Sequence, residues 1–476
     1  MFGSIHEECG VFGIYTKETC DVAGPVYLGL YALQHRGQES CGIVVNDRGV
    51  FNYHKGIGLV NEVFDAERLE KLGKGHIAVG HVRYSTTGKP TPHNTQPLVV
   101  RHIKGPMAIA HNGNLINALE LREAYELKGG IFHSTNDSEV ISYAVTNERL
   151  NEGSIQKALE KAMYKLKGAY SLVIMSPQKL VAARDPQGFR PLSLGKLPDE
   201  GGYVVASETC AFDSVGAEFV RDILPGEIIV IDDNGVESIK THCGQKSGLC
   251  VFEYIYLARP DSVIEGAGVH GARVNAGKFL AQEHPVDADI VVGVPDSGLD
   301  AAIGYAMESG IPYGMGFVRN RYVGRTFIQP AQGMRENSVK IKLNPVAETV
   351  RGKRVIMIDD SIVRGTTSRR VVNLLREAGA KEVHVRISSP PFINPCYFGT
   401  DIDAKDKLIA CRITDINEIA KAINADSLGY LSQENVLKIA EGAKCDFCDG
   451  CFTGKYPIEV PDEMPKDRFE SKLGDQ

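Results

Sequence analysis

The segment 355–368 constrains the possible folds of this chain more than any other part of its sequence. Four apolar residues, 355–358, lead into Asp359 and Asp360, and a short loop then opens a run with helical spacing. An apolar strand that ends in carboxylates and turns into a helix is typical of a parallel α/β sheet. Backbone N–H groups at the start of that helix suit a phosphate monoester, and the two carboxylates suit vicinal sugar hydroxyls. The alternative is a capped turn with two solvated aspartates.

The surrounding segments also predict a parallel sheet in the second half of the chain. Residues 289–294 form an apolar run, and a helical pattern follows over 299–308. Residues 354–358, 367–378 and 383–387 then give a strand, a helix and a strand, which together make one βαβ unit. The second half is therefore predicted to be an α/β domain.

The first half is predicted to be a mixed, strand-rich α/β domain. Residues 155–166 have the apolar spacing of an amphipathic helix, and Ser154 is suited to cap its N-terminus. The turn-rich stretch 224–250 predicts a domain boundary near residue 240. Short apolar segments that predict strands recur at 11–15, 42–45, 77–81, 108–110, 171–175 and 203–206.

Length and charge narrow the function classes. The 476 residues are about three times the roughly 150 residues of one domain, so two or three domains are expected. With 53 basic and 60 acidic residues the net charge is −7, which provides no overall positive field for nucleic acid or an anionic membrane. No segment approaches the ~18 unbroken apolar residues of a membrane-spanning helix. Residues 1–8 lack the features of a secretory signal, so a cytoplasmic protein is expected.

Cys9 is a candidate nucleophile because of its position near the N-terminus. If residues 1–8 are removed, Cys9 becomes the first residue and its α-amine lies next to its thiol. An α-amine has an ordinary pKa of about 7.7–8.0, which suits a base that accepts a thiol proton near neutrality. The alternative is a buried structural cysteine at the start of a strand.

Four polar motifs in the first half supply the groups that a glutamine pocket needs. The motifs cover residues 33–40, 80–86, 111–115 and 136–139. Arg83 offers a planar fork for the substrate α-carboxylate, and Asp137 offers an anion for its α-ammonium. The side chain of Asn112 and the backbone N–H of Gly113 suit an oxyanion hole.

These motifs resemble the class II glutamine amidotransferase domain. The resemblance implies that Cys9 is the nucleophile, that Arg83 and Asp137 anchor glutamine, and that Asn112 and Gly113 donate to the oxyanion. Thr86 and Arg36 resemble supporting positions of the same glutamine site. The implied fold is an N-terminal nucleophile αββα sandwich over residues 9–240, with residues 1–8 as a cleaved propeptide.

The segment 355–368 in turn resembles the phosphoribosyl pyrophosphate motif of type I phosphoribosyltransferases. The resemblance implies a parallel-sheet domain over residues 241–476 and Mg²⁺ held with the help of Ser297, Asp359 and Asp360. A loop at 319–326 resembles the family's lid; the alternative for such an arginine-rich loop is a solvated surface. The implied contacts to phosphoribosyl pyrophosphate are Asp296, Ser297, Gly298, Arg321, Arg325, Asp359, Asp360, Arg364, Gly365, Thr366, Thr367 and Ser368.

Five of the eleven cysteines lie in the second half in a pattern that predicts ligands. Cys445, Cys448 and Cys451 are separated by two residues each, and Cys250 and Cys396 fall in the same half. An iron–sulfur cluster and a four-cysteine zinc site fit this spacing about equally well, and inert thiols are a third possibility.

The segments around these cysteines resemble the cluster-bearing branch of the glutamine phosphoribosylpyrophosphate amidotransferases. That resemblance implies one 4Fe–4S cluster on Cys250, Cys396, Cys448 and Cys451, and it leaves Cys445 unassigned. It also implies an enzyme that makes 5-phosphoribosylamine, glutamate and pyrophosphate from phosphoribosyl pyrophosphate, glutamine and water, the first step of purine (IMP) biosynthesis. Feedback inhibition by purine nucleotides and a homo-oligomer, a tetramer, are implied as well.

Two other functions stay open from the sequence. An amidotransferase acting on a different sugar phosphate needs the first half but not the 359–367 loop. A non-catalytic sensor of phosphoribosyl pyrophosphate needs that loop, but it would carry a basic DNA-binding module, which this acidic chain lacks.

Overall fold

The computed structural model describes residues 9–84, 91–198, 201–320, 343–402 and 404–461. Within these residues no helix combines the length and the apolar character that crossing a bilayer requires.

The strands are β1 (Gly10–Cys20), β2 (Ser40–Asp47), β3 (Val50–Ile57), β4 (Gly75–Arg83), β5 (Leu98–His102), β6 (Gly105–Leu115), β7 (Gly168–Met175), β8 (Leu180–Arg184), β9 (Ser193–Lys196), β10 (Gly202–Ala206), β11 (Glu218–Asp222), β12 (Ile228–Asp232), β13 (Gly235–Ile239), β14 (Leu249–Cys250), β15 (Val263–Ile264), β16 (Ala267–Gly268), β17 (Ile290–Gly293), β18 (Phe317–Arg319), β19 (Leu343–Pro345), β20 (Arg354–Asp359), β21 (Glu382–Ile387), β22 (Ser427–Tyr430) and β23 (Phe447–Cys448). The α-helices are α1 (Ala23–Ala32), α2 (Val60–Val63), α3 (Ala66–Leu72), α4 (Ala118–Glu126), α5 (Asp137–Asn151), α6 (Ile155–Met163), α7 (Cys210–Val215), α8 (Val269–Glu283), α9 (Gly298–Ser309), α10 (Ala347–Val350), α11 (Thr366–Glu377), α12 (Ile409–Arg412), α13 (Ile416–Ala422), α14 (Gln433–Val436) and α15 (Gly450–Thr453).

The first half consists of two antiparallel sheets stacked face to face. One sheet has the order β11-β9-β10-β1-β4-β2-β3 and the other β13-β12-β8-β7-β6-β5. Along β1, Val11 and Tyr15 point into the apolar core between the sheets, whereas Phe12 and Ile14 pack outward against helices. This alternation has the period of two that a strand imposes, and it explains why β1 is buried on both faces.

Helices cover the outer face of each sheet. α1 and α7 contribute to the apolar core outside the seven-stranded sheet, and α4, α5 and α6 contribute to the core outside the other sheet. The predicted N-cap of α6 is confirmed, because the Ser154 hydroxyl accepts a hydrogen bond from the Lys157 N–H. The four layers make an αββα sandwich, which confirms the predicted fold of this half.

The second half contains a four-stranded parallel sheet with the order β17-β20-β21-β22. Residues of α8 and α9 belong to the apolar core on one of its faces, and residues of α11 and α13 belong to the core on the other. β17 and β20 are neighbours, so the loops that follow them lie side by side at the carboxyl edge. The predicted parallel-sheet domain is confirmed.

The predicted boundary near residue 240 falls between two strands that belong to different parts of the molecule. β13 is an edge strand of the six-stranded sheet. β14 pairs in parallel with β23 and joins Cys250 to Cys448 in register. The chain therefore leaves the sandwich after residue 239 and reaches the cysteine-bearing segments by residue 249.

Candidate active sites

The structure places Cys9 at the start of the central strand of the seven-stranded sheet. Cys9 is 5% exposed, and its Sγ lies 3.5 Å from the backbone oxygen of Tyr84. β1 pairs with β4, with Gly10 opposite Val82, so the strand register fixes the thiol near the end of β4. That end carries Arg83, the predicted anchor for the substrate carboxylate.

The predicted oxyanion donors lie on β6 of the other sheet. Asn112 is fully buried, and neither atom of its side-chain amide has a hydrogen-bond partner among the residues that the structure describes. An unpaired buried amide costs about 1–3 kcal/mol, which favours a bound group that satisfies it. Gly113 has φ +140°, and a Cβ there would lie 2.2 Å from the carbonyl oxygen of Ala169, so only glycine fits this position.

Asp137 is held at the first turn of α5 as an anion. Its Oδ2 accepts a hydrogen bond from the Leu115 N–H at 2.9 Å, and its Oδ1 lies 3.4 Å from Nδ1 of His111. Burial raises the pKa of Asp137, but His111, the Leu115 N–H and Arg83 together lower it below its ordinary value. Burial lowers the pKa of neighbouring His81 to about 3, so this imidazole is neutral at pH 7.

Arg36 lies behind the thiol and links it to the second half of the chain. Its Nε donates to the carbonyl oxygen of Cys9 at 3.0 Å. Its Nη1 donates to Glu208 at 2.6 Å and its Nη2 to Glu253 at 2.8 Å, with all three side chains fully buried. Arg36 therefore positions the backbone of the candidate nucleophile.

A cavity of about 720 Å³ lies at the carboxyl edge of the parallel sheet. His35 and Gln38 from the first half also line it, so the two halves of the chain share this cavity. Gly298, Arg364 and Thr366 belong to the same two loops but are not among the lining residues. The predicted residues that line it are Asp296, Ser297, Asp359, Asp360, Gly365, Thr367 and Ser368.

The two adjacent carboxylates in this cavity make it a site for a cation or for hydroxyl donors. Burial raises the pKa of Asp359 well above its ordinary value, and the charge of Asp360 raises it further. Burial also raises the pKa of Asp360, although Ser297, Ser361 and Arg273 oppose the shift. The Ser297 hydroxyl donates to Asp360 at 2.5 Å, so the predicted Mg²⁺ contacts are in mutual contact.

The N-terminus of α11 borders the cavity at the loop that was predicted to bind phosphate. Gly365 has φ +82° and precedes the first helical residue, and no side chain caps the helix. Thr367 lines the cavity, and its buried hydroxyl oxygen has no hydrogen-bond partner within the described part of the chain. A helix N-terminus with an unpaired hydroxyl suits a phosphate group.

The structure describes only some of the residues that were predicted to bind pyrophosphate. Asp296 forms an ion pair with Arg319, and both side chains line the cavity. Gly298 begins α9, where a Cβ would lie 2.6 Å from the carbonyl oxygen of Ile358. Thr86, Arg321 and Arg325, which were predicted to contact glutamine or pyrophosphate, lie outside the described residues.

Four cysteines from distant parts of the second half line one small cavity. They are Cys250, Cys396, Cys448 and Cys451, the four residues predicted as ligands. Cys445 is not among the lining residues and packs against the neighbouring apolar core, where burial raises its pKa to about 12. In the part of the chain that the structure describes, no group of three or more His, Cys, Asp or Glu side chains is placed to hold a single metal ion.

Comparison with known protein families agrees with the two half-sites. The model of a glutamine amidotransferase domain matches residues 81–214, and the model of a phosphoribosyl transferase domain matches residues 270–388. The amidophosphoribosyltransferase of Methanocaldococcus jannaschii is 51% identical over 481 aligned residues, which cover 98% of this chain and 99% of that protein. The chain belongs to the amidophosphoribosyltransferase family.

Other members of the amidophosphoribosyltransferase family match as extensively. The amidophosphoribosyltransferase of Bacillus subtilis is 50% identical and covers 96% of this chain and 95% of its own length. A solved structure of the glutamine phosphoribosylpyrophosphate amidotransferase from B. subtilis, in complex with ADP and GMP, superposes with a TM-score of 0.89. That structure is 48% identical and covers 97% of this chain and all of the solved chain.

Sequence motifs missed part of the site in this amidophosphoribosyltransferase-family chain. Arg259 and Arg273 line the shared cavity although no motif singled them out, whereas His35 and Gln38 lie in the 33–40 motif that was assigned to the glutamine pocket. Arg273 is buried in a helix and donates to the carbonyl oxygens of Tyr254, Tyr256 and Ala258, which fixes its charge beside the cavity. Arg273 is a basic residue on an otherwise apolar face of α8, and this feature of the sequence could have marked it as a candidate site residue.

Cavity size alone would have misplaced the site. Another cavity, of about 870 Å³ and so larger than the shared one, is lined in part by α4, the start of α5 and residues 458–461. Of the residues predicted to bind glutamine, only Asp137 lines it. Cavity volume therefore does not lead to the residues that were predicted to bind glutamine.

Proposed function

We propose that the chain makes 5-phosphoribosylamine, glutamate and pyrophosphate from phosphoribosyl pyrophosphate, glutamine and water, in purine biosynthesis. One observation carries the proposal: the cavity that holds Asp359, Asp360 and Thr367 is shared with the first half of the chain. His35 and Gln38 reach that cavity from the same segment whose Arg36 holds the carbonyl group of Cys9. Two half-sites of different chemistry are therefore joined through a few residues.

The first half-reaction releases ammonia from glutamine. The Cys9 thiolate attacks the side-chain amide carbon, and the oxyanion that forms accepts hydrogen bonds from Asn112 and the Gly113 N–H. Arg83 binds the α-carboxylate of glutamine and Asp137 its α-ammonium. The C–N bond breaks as the nitrogen takes up a proton and leaves as ammonia. Water then hydrolyses the thioester, which regenerates the thiol and releases glutamate.

Removal of residues 1–8 supplies the base for this step. The α-amine of Cys9, which has an ordinary pKa of about 7.7–8.0, then takes the thiol proton. Arg36 keeps the backbone of Cys9 in place through its hydrogen bond to the carbonyl oxygen.

The second half-reaction joins ammonia to the ribose. Ammonia attacks C1 of phosphoribosyl pyrophosphate, the bond from C1 to the pyrophosphate oxygen breaks, and the amine loses a proton. Asp359 and Asp360 hold the ribose hydroxyls, and the N–H groups and hydroxyls of 364–368 hold the 5-phosphate. Asp296, Ser297 and Gly298 bind the pyrophosphate, and the family resemblance adds Arg321 and Arg325 as further contacts.

Mg²⁺ and an iron–sulfur cluster fit the residues present. Two buried carboxylates with raised pKa values and a serine hydroxyl are oxygen donors of the kind that Mg²⁺ takes, and the bound ion neutralises pyrophosphate charge. A zinc ion needs all four sulfurs within about 2.3 Å of one centre, whereas a 4Fe–4S cluster spreads its ligands over four irons. Four cysteines that line one cavity fit a group held by several thiolates, and the resemblance to the cluster-bearing branch of the family favours the cluster.

Three further features belong to the proposal. A purine nucleotide carries the ribose-5-phosphate that the 359–368 loop is built to bind, and the B. subtilis structure contains ADP and GMP. Inhibition by purine nucleotides is therefore expected. A homotetramer and a cytoplasmic location remain predictions from sequence resemblance and from the N-terminal segment.

Replacing the nucleophile tests the proposal. Cys9→Ala is expected to abolish phosphoribosylamine formation from glutamine and to leave formation from added ammonia intact, because the second half keeps all its residues. Cys20→Ala, at the other end of the same strand, serves as the control and is expected to keep both activities. Glutamine-dependent activity in Cys9→Ala would contradict the assignment, and loss of both activities in a folded protein would contradict the separation of the half-sites.

A further inference from the structure

The segment that contains one of the cavity cysteines also contacts the strand that carries the oxyanion donors. The segment 396–400 begins with Cys396 and lies against β6. In sequence, Tyr397 of this segment is 283 residues away from Asn114 of β6. The Asn114 side chain donates from Nδ2 to the carbonyl oxygen of Tyr397 at 2.9 Å. Asn114 follows Gly113 directly, so this bond holds the strand one residue beyond a predicted oxyanion donor.

Phe398, the next residue of the segment, is bound by Arg190 of the first half. Arg190 donates from Nε and Nη2 to the carbonyl oxygen of Phe398, at 3.1 and 2.8 Å. The Arg190 side chain is fully buried. Its own carbonyl oxygen accepts from the hydroxyl of Ser171, which lies opposite Asn112 across the β6–β7 pair.

Gly399 brings the segment into contact with Gly113 itself. A Cβ on Gly399 would lie 3.4 Å from the Cα and carbonyl carbon of Gly113, and 3.3 Å from Nη2 of Arg190. Gly399 has φ +120°, a conformation that favours glycine. The two backbones therefore approach closely because both positions lack a side chain.

The cysteine end of the segment is fixed as well. The N–H of Phe398 donates to Sγ of Cys396 at 3.4 Å, and the ring of Phe398 stacks on Phe189 with centroids 4.0 Å apart. The N–H of Cys250 in turn donates to the carbonyl oxygen of Phe189. Contacts of Phe398 therefore connect Cys396 to the carbonyl groups that Asn114 and Arg190 bind.

We propose that Asn114 is a positioning residue that transmits the state of the cysteine cavity to the oxyanion donors Asn112 and Gly113. This inference rests on the proposed function, since it takes these two residues as the donors. Ligation of Cys396 holds the 396–400 segment, and the segment holds β6 in the geometry that stabilises the tetrahedral intermediate. Loss of the ligand set loosens β6, and the glutaminase step slows before the fold is lost.

Asn114→Ala separates this role from a purely structural one. The variant is expected to lower kcat for glutamine hydrolysis about tenfold, to leave KM for glutamine within about twofold, and to keep ammonia-dependent activity. Asn46→Ala is the matched control, because buried Asn46 also donates to a distant carbonyl oxygen at 2.9 Å but lies in the other sheet. The control is expected to keep the wild-type kcat. An unchanged kcat in Asn114→Ala, or an equal fall in both variants, would overturn the proposal.

A second readout does not depend on activity. Amide hydrogen exchange of residues 110–115 is compared in anaerobic protein before and after chelators and oxidant strip the bound iron, with residues 40–47 of β2 as the internal reference. Stripping is expected to speed exchange in 110–115 at least fivefold in the wild type and to leave β2 unchanged. In Asn114→Ala, amide exchange of residues 110–115 is expected to be fast before the iron is removed, and its removal is expected to increase the exchange rate little. Equal changes in both strands, or none in 110–115, would overturn the coupling.

The two proposals fail in distinguishable ways. If Asn112→Ala keeps full glutaminase activity, the oxyanion assignment is wrong, whatever the exchange data show. If Asn112→Ala loses activity and Asn114→Ala behaves as Asn46→Ala does, the proposed function stands and the link to the cysteine cavity is wrong.

Discussion

Asp359 and Asp360 show at the scale of single residues how function opposes stability in this chain. Both carboxylates are buried, and burial together with their mutual repulsion raises the pKa of Asp359. The pair is suited to hold a cation or a sugar but is unfavourable when neither is bound. The sequence identified the pair, whereas its burial depended on how the loops after β17 and β20 pack.

Removing one of the two charges is expected to stabilise the protein that lacks Mg²⁺ and substrate. Asp360→Asn should raise the free energy of unfolding by about 1 kcal/mol at about pH 7.5, and activity should be lost. The folded-state pKa values of Asp359 and Asp360 are both raised, so ionising these carboxyl groups lowers the free energy of unfolding at a pH above those values. This loss disappears as the pH falls toward the unfolded-state pKa of about 3.9. Urea unfolding at about pH 7.5 and pH 4.5 measures this. If Asp360→Asn were no more stable than the wild type at about pH 7.5, or gained as much stability at about pH 4.5, the expectation would be contradicted.

Some residues of the candidate site could be predicted from sequence motifs, and the contacts of others could not. Cys9, Arg83, Asn112 and Asp137 were predicted from short local patterns, and the structure places Cys9 near Arg83 through the register of β1 and β4. The contacts of Arg36 were not predictable. Its partners Glu208 and Glu253 are 172 and 217 residues away, so the link exists only after the two halves pack together.

At the scale of elements, α8 and α9 cross at a contact between backbones. A Cβ on Gly277 of α8 would lie 1.9 Å from the carbonyl oxygen of Ala301, and one on Gly304 of α9 would lie 1.9 Å from that of Val274. α9 leads out of the pyrophosphate loop, so this close approach fixes the helix that positions Asp296 to Gly298.

Adding one methyl group at this crossing is expected to destabilise the second half. Gly304→Ala should lower the free energy of unfolding by about 2 kcal/mol or more, because the clash exceeds the roughly 1 kcal/mol that alanine adds in a helix. Gly271→Ala on α8 is the matched control, since a Cβ there meets nothing within 4 Å. The control is expected to stabilise the protein slightly. Thermal unfolding of both variants tests this, and a stable Gly304→Ala would contradict the backbone contact.

Elements with a periodic pattern were predictable from the sequence, and short ones were not. The strand at 354–358 and the helix at 367–378 were predicted within one residue of β20 and α11. β14 and β23 have two residues each, and no pattern of that length predicts a strand. Their pairing joins segments that are about 200 residues apart and brings Cys250 beside Cys448.

At the scale of the whole molecule, a buried charge network joins the two halves. Glu253 binds Arg36 at 2.8 Å and Arg190 at 3.3 Å, and all three side chains are fully buried. Burial raises the pKa of Glu253, but the two arginines outweigh it and lower the pKa below its ordinary value. The carboxylate is therefore charged at neutral pH and stabilises the contact between the halves.

Neutralising this carboxylate is expected to weaken both the fold and the coupling of the two reactions. Glu253→Gln leaves two buried arginines short of an anion, which costs about 3 kcal/mol. Glutamine hydrolysis should also respond less to phosphoribosyl pyrophosphate, since Arg36 loses its contact with the second half. Glu434→Gln removes one side of the exposed pair with Lys438 and is expected to leave the unfolding midpoint unchanged. Equal effects of the two substitutions would contradict the network's role.

The central claim is that the two half-sites act as one enzyme, and product stoichiometry tests it most directly. Glutamate and pyrophosphate release are measured with anaerobically purified protein, glutamine and Mg²⁺, with and without phosphoribosyl pyrophosphate. The account predicts equal amounts of both products, each dependent on phosphoribosyl pyrophosphate. Glutamate release without pyrophosphate in the presence of all substrates would contradict it and would leave a glutaminase that serves a different acceptor.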